Sequence, residues 1–408
     1  SDAIQIIVKN GSEFTAPASD GLTRPDGNTD SYFKWLGSDG ELYEPGDNVS
    51  ADVIKLTAQF APPEQFNLVP GGRYYFDLSA MDIPGTVNSN LPDSTLHYVP
   101  FTYAGTVDAY SMENETDTAK QPYEHSLFIA DYNVKCSLQR ETLAEMNLIY
   151  GQTYTASNVN YTLRAPSVGD HHRNEGEGSG LAPIDNEWDT IYQKSADYIK
   201  NWYKMRSFGQ DIGTGNVEGM YLSRGGHFAA QATFWARPTL PERDIGFRPV
   251  LEVLNSDTLG SDGMKVVTLD LNGGKLGGSS EDIQIIVKNG STFTAPMSGG
   301  LTRPDGDTGS YFMWLDGNGN SYEPGGSVPA DVTTLTVQWT APTYAVTLNT
   351  NGGTIADGKD VTGYTYGVGA ALPTAEDVTR TGYTFKGWYD NENLAGSPLT
   401  AISNTETG

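Results

Sequence analysis

The sequence predicts a mostly β protein in which one α+β domain is inserted between small β modules. Gly (47), Tyr (23) and Pro (22) are abundant, and long apolar runs with helical spacing are few, which favours short strands and turns. Residues 4–63 align with residues 283–342 with 40 identities in 60 positions, and the motifs IQIIVKNGS, GLTRPDG and YEPG recur almost unchanged. The β part of the chain is therefore built from repeats, and 408 residues suffice for two to four domains.

The repeat unit opens with a strand, an Asn-Gly-Gly turn and a second strand. This opening reads VVTLDLNGGKL at 266–276 and AVTLNTNGGTI at 345–355. The first copy lacks the opening strand, and the third stops before the closing strand that TTLTVQW at 333–339 supplies to the second. Both ends are therefore expected to cut through a repeat array, and the first and third units should each have an unpaired strand edge.

These patterns divide the chain into four parts. The predicted parts are a truncated first module (1–63), an inserted middle domain (64–256), a second module (264–342) and a third module, truncated at its C-terminal end (343–408). Trp35, Trp314 and Trp388 take equivalent places in the three modules. A sugar-stacking platform is one interpretation of these rings, but we expect each to anchor the core of its module.

The middle domain mixes strand and helix patterns. Residues 73–79, 97–112 and 125–134 are predicted strands. Residues 136–151 and 186–205 carry i, i+3, i+4 apolar spacings typical of helices, and Asp185 or Asn186 is expected to cap the second.

Charge and cysteine content exclude several functions. The net charge of −26 and the pI near 4.4 exclude a phosphate-backbone partner, so no nucleic acid is expected. The single cysteine, Cys136, cannot form an internal disulfide, and we expect a buried, inert thiol. No apolar run approaches the roughly 18 residues of a membrane span, and no signal peptide opens the chain.

No catalytic residue, metal site or cofactor is predicted. His171 and His172 lie near acidic residues, but adjacent histidines in a glycine-rich segment converge poorly on one ion. The stretch from Asp316 begins like a calcium loop, yet its twelfth position is Ser327 where a bidentate Glu is required, so a hairpin turn is expected. Nucleophile-elbow, phosphate-loop and zinc-protease motifs are absent.

The run 224–252 encloses an aromatic-rich segment between rigid ends. Gly225, Gly226 and Gly246 permit close backbone approach. Four arginines are expected to tie the surrounding loops together as scaffold, through bidentate bonds to carboxylates or carbonyls. These are Arg224, Arg237, Arg243 and Arg248.

The candidate ligand-binding residues lie in two stretches that we expect to face the same way. They mix aromatic, small and polar groups without an evident core period, as adaptable binding loops do. The predicted residues are Tyr203, Lys204, Met205, Arg206, Ser207 and Phe208 in the first stretch, and His227, Phe228, Ala230, Gln231, Phe234 and Trp235 in the second. An alternative in which Phe228, Phe234 and Trp235 belong to the core stays open.

Two parts of the sequence resemble known families. In the third module, NTNGGT, RTGYTFKGWYDN and GSPLTAI resemble the Listeria–Bacteroides repeat, a small β-grasp-like module, which implies a spacer in a bacterial surface protein. In the middle domain, RGGHF, FWARP and DIGFRPVLE resemble the C-terminal signature of formylglycine-generating-enzyme-like C-type lectin folds. NEWD at 186–189 fits the helix that precedes this signature.

The second resemblance implies three possible functions. The oxidase of that family needs a cysteine pair near the signature, which this chain lacks. The Glu-Pro-Asn or Gln-Pro-Asp and Trp-Asn-Asp motifs of calcium-dependent lectins are absent from residues 71–254. The resemblance therefore favours a variable ligand-binding protein of the kind diversified by retroelements, in which loop positions change while the fold is kept.

The resulting expectation is a non-enzymatic, adhesin- or receptor-like protein of a Gram-positive-like gut bacterium. It would be a monomer, secreted or attached to the cell wall, and would bind an unknown protein or glycan through the lectin-like face. The alternatives are a purely structural surface stalk without a specific ligand, or a glycan-active enzyme component.

Overall fold

The computed structural model describes most of the chain. The described residues are 4–18, 22–23, 33–39, 41–60, 64–87, 91, 95–117, 120–172, 181–235, 242–253, 263–304, 306 and 312–406. Among the described residues, strands far outnumber helices. The prediction of a mostly β fold is therefore confirmed.

The first module forms a small sheet with a short separate strand pair. Its strands are β1 (Phe14–Thr15), β2 (Phe33–Gly37), β3 (Leu42–Tyr43), β4 (Asn48–Val49) and β5 (Leu56–Phe60). The sheet order is β3-β2-β5, and β1 pairs with β4. Residues 4–9, which precede β1, take no part in a strand and are exposed throughout.

The middle domain contains two larger sheets and two short helices. Its strands are β6 (Arg73–Phe76), β7 (Val99–Ala109), β8 (Tyr123–Ala130), β9 (Lys135–Leu138), β10 (Gln152–Ala156), β11 (Val159–Arg164), β12 (His171–His172), β13 (Leu181–Ala182), β14 (Arg206–Ile212), β15 (Tyr221–Gly225), β16 (Ala232–Trp235), β17 (Glu242–Phe247) and β18 (Val250–Val253). The helices are α1 (Arg140–Glu145) and α2 (Glu187–Lys194), with 3₁₀ turns at Ser79–Met81, Ala196–Tyr198 and Gly215–Val217.

One sheet of the middle domain has six strands in the order β10-β11-β18-β8-β7-β6, and the other has five in the order β16-β15-β14-β17-β9. In the five-stranded sheet, β14 runs antiparallel to β15 and parallel to β17. Phe208 from β14 and Phe247 from β17 join one core cluster with Phe128 and Leu251 of the six-stranded sheet. The two sheets therefore share a core.

Helix α2 begins where the sequence indicates. The side chain of Asn186 accepts a hydrogen bond from the backbone N–H of Asp189 at 2.9 Å, which is the expected N-cap geometry. Trp188 and Ile191 on this helix are fully buried against a second core cluster that includes Leu222 of β15. The helix thus packs directly behind the strand that leads to the candidate loop.

The second module is the complete form of the repeat. Its strands are β19 (Met264–Asp270), β20 (Lys275–Leu276), β21 (Ile283–Lys288), β22 (Phe293–Thr294), β23 (Leu301–Thr302), β24 (Met313–Leu315), β25 (Ser321–Tyr322), β26 (Ser327–Val328) and β27 (Thr334–Gln338). The main sheet has the order β21-β19-β27-β24-β25. Strand β19 therefore lies in the interior, antiparallel to β21 and parallel to β27.

The third module consists of short strand pairs. Its strands are β28 (Thr343–Ala345), β29 (Thr354–Ile355), β30 (Gly363–Thr365), β31 (Ala370–Ala371), β32 (Val378–Thr379) and β33 (Ala401–Ile402). They pair as β28 with β30, β29 with β32, and β31 with β33.

The three equivalent tryptophans each make the same kind of hydrogen bond. The indole N–H donates to a proline carbonyl: Trp35 to Pro17 at 2.8 Å, Trp314 to Pro296 at 2.9 Å, and Trp388 to Pro373 at 2.7 Å. Trp314 and Trp388 are buried and Trp35 is half-buried, each within the core of its own module. The prediction that these rings are core anchors is confirmed.

The second module and the middle domain are packed together. Ile286 of β21 and Met264 of β19 belong to the main core cluster of the middle domain, while Tyr75 of β6 belongs to the core cluster of the second module. The backbone N–H of Lys288 donates to the carbonyl of Ser157 at 3.0 Å. The two cores are therefore continuous across this boundary.

Candidate functional site

The two predicted stretches of the candidate site converge. Tyr203 and Gly226 form a parallel bridge between them. The N–H of Lys204 donates to the carbonyl of Gly226 at 2.7 Å, and the N–H of Gly226 donates to the carbonyl of Trp202 at 3.0 Å. The segment before β14 and the turn after β15 thus form one backbone unit.

The turn between β15 and β16 needs its two glycines. Gly225 and Gly226 have φ angles of +93° and +118°, a region that L side chains rarely adopt. A Cβ on Gly225 would also lie 3.0 Å from the carbonyl oxygen of Met205. The turn is closed from within by Gln231, whose side-chain oxygen accepts the N–H of His227 at 2.8 Å.

Arg224 holds the inner side of this turn. Its guanidinium makes a bidentate ion pair with Asp189 of α2, at 2.6 and 3.1 Å. The same group donates to the carbonyl oxygens of Val168 and Ala230, at 2.8 and 3.2 Å. Arg224 is fully buried, so it acts as scaffold, as the sequence predicts.

Trp188 provides a second contact to the turn. Its indole N–H donates to the carbonyl of Ala229 at 3.0 Å. The guanidinium groups of Arg224 and Arg248 lie 6.0 and 5.9 Å from its ring, within the range of cation–π attraction. A buried Trp-Arg cluster therefore fixes the turn through its backbone carbonyls.

Arg248 connects three further parts of this scaffold. It is fully buried and donates to the side chain of Ser207 at 3.0 Å and to the carbonyls of Ala130 and Asn201 at 2.8 and 3.3 Å. Burial lowers its pKa to about 10, against the opposing attraction of Asp131. Arg248 is scaffold, as predicted. Arg237 and the side chain of Arg243 lie outside the described residues.

The outer side of the unit carries exposed side chains. Tyr203 is 61% exposed and Phe228 is 43% exposed, although both lie next to the buried residues that hold the turn. Lys204 and His227 are exposed beside them, and Trp202 is half-buried with its ring 6.3 Å from that of Tyr203. We call these five residues the aromatic face.

Four predicted site residues turn inward. Phe208 is fully buried, Ser207 is 1% exposed, Met205 is 2% exposed and Ala230 is 8% exposed. Five successive residues of β14, from Ser207 to Asp211, are buried, so both faces of this strand are covered and burial does not alternate along it. The expectation that these four side chains face a ligand is therefore corrected: they support the face from below.

The remaining predicted site residues are intermediate in exposure, or their side chains lie outside the described part of the chain. Arg206 is half-buried and forms an ion pair with Asp244, and Gln231 is half-buried. Phe234 and Trp235 lie on β16, opposite Leu222 and Tyr221 of β15. Their side chains lie outside the described part of the chain, so their place in the core or on the surface stays a prediction.

Trp202 is absent from the predicted site. Its carbonyl accepts the hydrogen bond from Gly226 that joins the two stretches, and its half-buried side chain packs against the core cluster that contains Trp188. The signal in the sequence was its position next to Tyr203 in the run NWYK, where two aromatic residues precede a lysine.

A buried charged cluster lies apart from the aromatic face. His125, Glu187 and Glu252 bring potential metal-ligating atoms within 4.8 Å of one another. These atoms are already engaged: Arg164 donates to both carboxylates at 2.5 to 3.0 Å, His125 Nε2 lies 2.9 Å from Glu187, and Tyr123 donates to Glu252 at 2.7 Å. The geometry is that of a closed ion network.

The other sequence candidates have structural roles. Asp316 accepts backbone N–H groups of Asn318 and Asn320 at 2.8 and 2.9 Å, which confirms the predicted hairpin turn. His171 pairs with Asp170 at 2.5 Å. Cys136 is 3% exposed, and burial raises its pKa to about 12, so the predicted buried thiol is confirmed.

Among the described residues, no helix has the length and apolar character needed to cross a membrane.

Comparison with known proteins gives one match. No curated protein and no solved structure is significantly similar to the chain. Residues 344–408 match the family model of the Listeria-Bacteroides repeat domain, which is typical of surface-associated proteins.

Proposed function

We propose that this chain is a non-enzymatic, ligand-binding protein of the cell surface that recognises a protein or a glycan through the aromatic face. In this proposal the middle domain is a C-type-lectin-like scaffold, carried on β-grasp-like repeat modules. The repeat match at residues 344–408 supports a surface-associated setting.

One observation carries the proposal. Tyr203 and Phe228 expose large apolar rings from two segments that are joined by backbone hydrogen bonds and held on their inner side by buried Arg224 and Trp188. Exposed aromatic groups on a rigid support lose little conformational entropy on binding, which makes them effective anchors. Lys204 and His227 add polar groups beside them.

The way the turn is held also supports a face whose residues can vary. Arg224 and Trp188 bond the carbonyl oxygens of Ala230 and Ala229, not their side chains. Replacement of exposed neighbours such as His227 and Phe228 therefore leaves these contacts in place. A diversified ligand-binding protein needs this separation between a fixed backbone and exchangeable side chains.

The absence of enzymatic activity is part of the proposal. The cluster of His125, Glu187 and Glu252 is saturated by Arg164 and Tyr123 and is fully buried or nearly so. A general acid or base must reach a substrate proton, and these three side chains are buried and hydrogen-bonded within the protein.

A double variant tests the proposal directly. Tyr203→Ala with Phe228→Ala should abolish binding in a screen against a glycan array and a library of cell-surface proteins, while circular dichroism and melting temperature stay close to those of the parent. Val87→Ala is the matched control, because Val87 is 56% exposed beside β9, at the opposite end of the five-stranded sheet from β16.

The screen also separates the proposal from its structural alternative. A stalk without a ligand would give no hit with the parent chain on either panel. Hits that survive the double variant would place recognition elsewhere on the molecule. Either result would remove the aromatic face as a binding site.

A further inference from the structure

An asparagine–glycine pair lies where the second module meets the middle domain. Asn289 and Gly290 directly follow Lys288, the last residue of β21, and both are exposed. The backbone N–H of Asn289 donates to the carbonyl of Gly263 at 2.8 Å. The sequence contains five Asn-Gly pairs, so the surroundings of each pair decide how it behaves.

Hydrogen bonds to the middle domain lie on both sides of this pair. The N–H of Lys288 donates to the carbonyl of Ser157 at 3.0 Å, and the side chain of Asn158 donates to the carbonyl of Thr292 at 2.8 Å. Ser157 and Asn158 form the turn between β10 and β11. The main chain from 288 to 292 is therefore held at both ends by one turn of the middle domain, and its length sets the fit.

An Asn-Gly pair carries a reaction of its own. The backbone nitrogen of the glycine attacks Cγ of the asparagine, and the missing side chain of glycine leaves this approach unhindered. The N–Cγ bond forms, the Cγ–Nδ2 bond breaks, and Nδ2 leaves as ammonia, which gives a five-membered succinimide. Water then opens the ring to aspartate or to isoaspartate, in which the main chain runs through Cγ. The net reaction consumes one water and releases one ammonia, and nothing is oxidised or reduced.

The local geometry favours this reaction at Asn289. The N–H of Gly290 donates to Oδ1 of Asn289 at 3.1 Å, so the attacking nitrogen and the side-chain amide already lie side by side. A Cβ placed on Gly290 would have no atom within 4 Å. The surroundings of the attacking nitrogen are therefore open to the water or hydroxide that must remove its proton.

The Asn-Gly pair in the opening turn of the second module is held more firmly. The side-chain amide of Asn272 donates to the carbonyl of Val337 at 3.0 Å. The backbone carbonyl of Asn272, which belongs to its peptide group with Gly273, accepts the indole N–H of Trp339 at 3.0 Å. The amide and the peptide group cannot turn towards each other without losing these bonds, so Asn272 should react more slowly than Asn289.

We propose that Asn289 is a site of spontaneous deamidation, and that its conversion to isoaspartate loosens the packing between the middle domain and the second module. Isoaspartate inserts one additional carbon into the main chain between Lys288 and Thr292 and adds a carboxylate. The lengthened segment cannot keep its bonds to Ser157 and Asn158 in their present register, so at least one of them is lost. The packing would therefore weaken as the protein ages, without the action of an enzyme.

The first module contains a matched copy of this turn. Residues 9–12 and 288–291 both read KNGS, and their glycines have φ angles of +71° and +70°. In each turn the N–H of the serine donates to the carbonyl of the lysine, at 3.2 and 3.3 Å respectively. Deamidation at Asn10 leaves the main chain from 288 to 292 unchanged, so Asn10 serves as the internal control.

Peptide mapping by mass spectrometry tests the modification. The purified chain is incubated at 37 °C and pH 8.5, and the fraction of aspartate and isoaspartate is followed at each Asn-Gly pair. Asn289 should convert several-fold faster than Asn272, and more slowly at pH 6, because the attacking nitrogen must lose a proton. In urea the difference between the two sites should disappear. An unchanged Asn289, or conversion of Asn272 at an equal or higher rate in the folded chain, would overturn the proposal.

Hydrogen exchange followed by mass spectrometry measures the loosening. In the incubated parent, the amides of 286–292 and 155–159 should exchange faster than in fresh protein. Asn289→Gln, whose longer side chain closes a ring poorly, should show no such increase after the same treatment, whereas Asn10→Gln should change as the parent does. Conversion of Asn289 without faster exchange would overturn the proposed loosening. An increase that persists in Asn289→Gln would also overturn it, because the cause would then lie elsewhere.

Discussion

Arg224 and Asp189 form a buried, bidentate ion pair that connects the candidate loop to helix α2. Removal of one partner leaves the other charge buried without compensation. We therefore expect Asp189→Asn to lower the free energy of unfolding by about 3–5 kcal/mol, the cost typical of a broken buried pair. Equilibrium denaturation by urea, followed by tryptophan fluorescence, measures the change.

Asp244→Asn is the matched control for this pair. Asp244 is half exposed in its ion pair with Arg206, so its loss should cost less than about 1 kcal/mol. Equal destabilisation by the two substitutions would show that the Arg224–Asp189 pair does not fix the scaffold.

The ion network around Glu187 predicts a loss of stability in acid. Burial alone would raise the pKa of Glu187, but attraction to Arg164 and hydrogen bonds from His125 and Arg164 outweigh burial and lower it to about 2. Because the folded-state pKa lies below the unfolded value, the stabilisation is complete above about pH 4.5 and disappears as pH falls towards 2. This one group should contribute about 3 kcal/mol.

Thermal melts at intervals between pH 6 and pH 2 test this relationship. Glu187→Gln should be less stable than the parent near neutral pH, because it leaves the buried guanidinium of Arg164 short of charge compensation. Its melting temperature should then fall less steeply below pH 4.5. Parallel pH profiles for the two proteins would contradict the assignment of the acid sensitivity to Glu187.

Phe208 and Phe228 should respond in opposite ways to truncation. Phe208 is fully buried between the two sheets, so Phe208→Ala should cost about 3–5 kcal/mol of stability. Phe228 is 43% exposed, and Phe228→Ala should change stability by less than about 1 kcal/mol. Chemical denaturation of both variants checks the expectation. A large loss with Phe228→Ala would make that ring a core residue.

The thiol of Cys136 should be unreactive in the folded protein. Burial raises its pKa to about 12, with a smaller opposing effect of Arg248, so little thiolate is present at pH 8. Ellman's reagent should release no colour from the native chain within an hour and one equivalent after unfolding in guanidinium. Rapid labelling of the native protein would show that β9 opens readily.

Local sequence patterns predicted those features of the structure that depend on residue type or on neighbouring residues in the sequence. The N-cap at Asn186, the turn at Asp316 and the buried Cys136 follow from side-chain chemistry or residue type, and all three are confirmed. The mostly β class follows from composition and spacing. The C-type-lectin-like arrangement rests on resemblance alone and stays a prediction.

The candidate site was predicted in part. Gly225 and Gly226 were expected to permit close backbone approach, and the structure pairs Gly226 with Tyr203 of the other predicted stretch. The burial of Ser207 and Phe208 was missed because alternation between core and solvent fails in a strand that is covered on both faces. Short-range periodicity carries no information about what covers the second face.

Sequence patterns could not predict the buried charged cluster, for a different reason. His125, Glu187 and Glu252 are 62 and 65 positions apart along the chain, and nothing local distinguishes them from surface residues. Only the pairing of β8 with β18 and the placement of α2 bring them together. Such long-range contacts are set by tertiary topology.

The continuous core between the middle domain and the second module has a mechanical consequence. Strands β6 and β21 contribute side chains to both cores, and Lys288 is bonded across the boundary to Ser157. A tensile load applied to the chain beyond the second module is therefore shared by interlocked side chains and does not fall on the connecting segment alone. The middle domain and the second module would unfold together under load. The aromatic face would keep its orientation relative to the second module until the packing between them is lost.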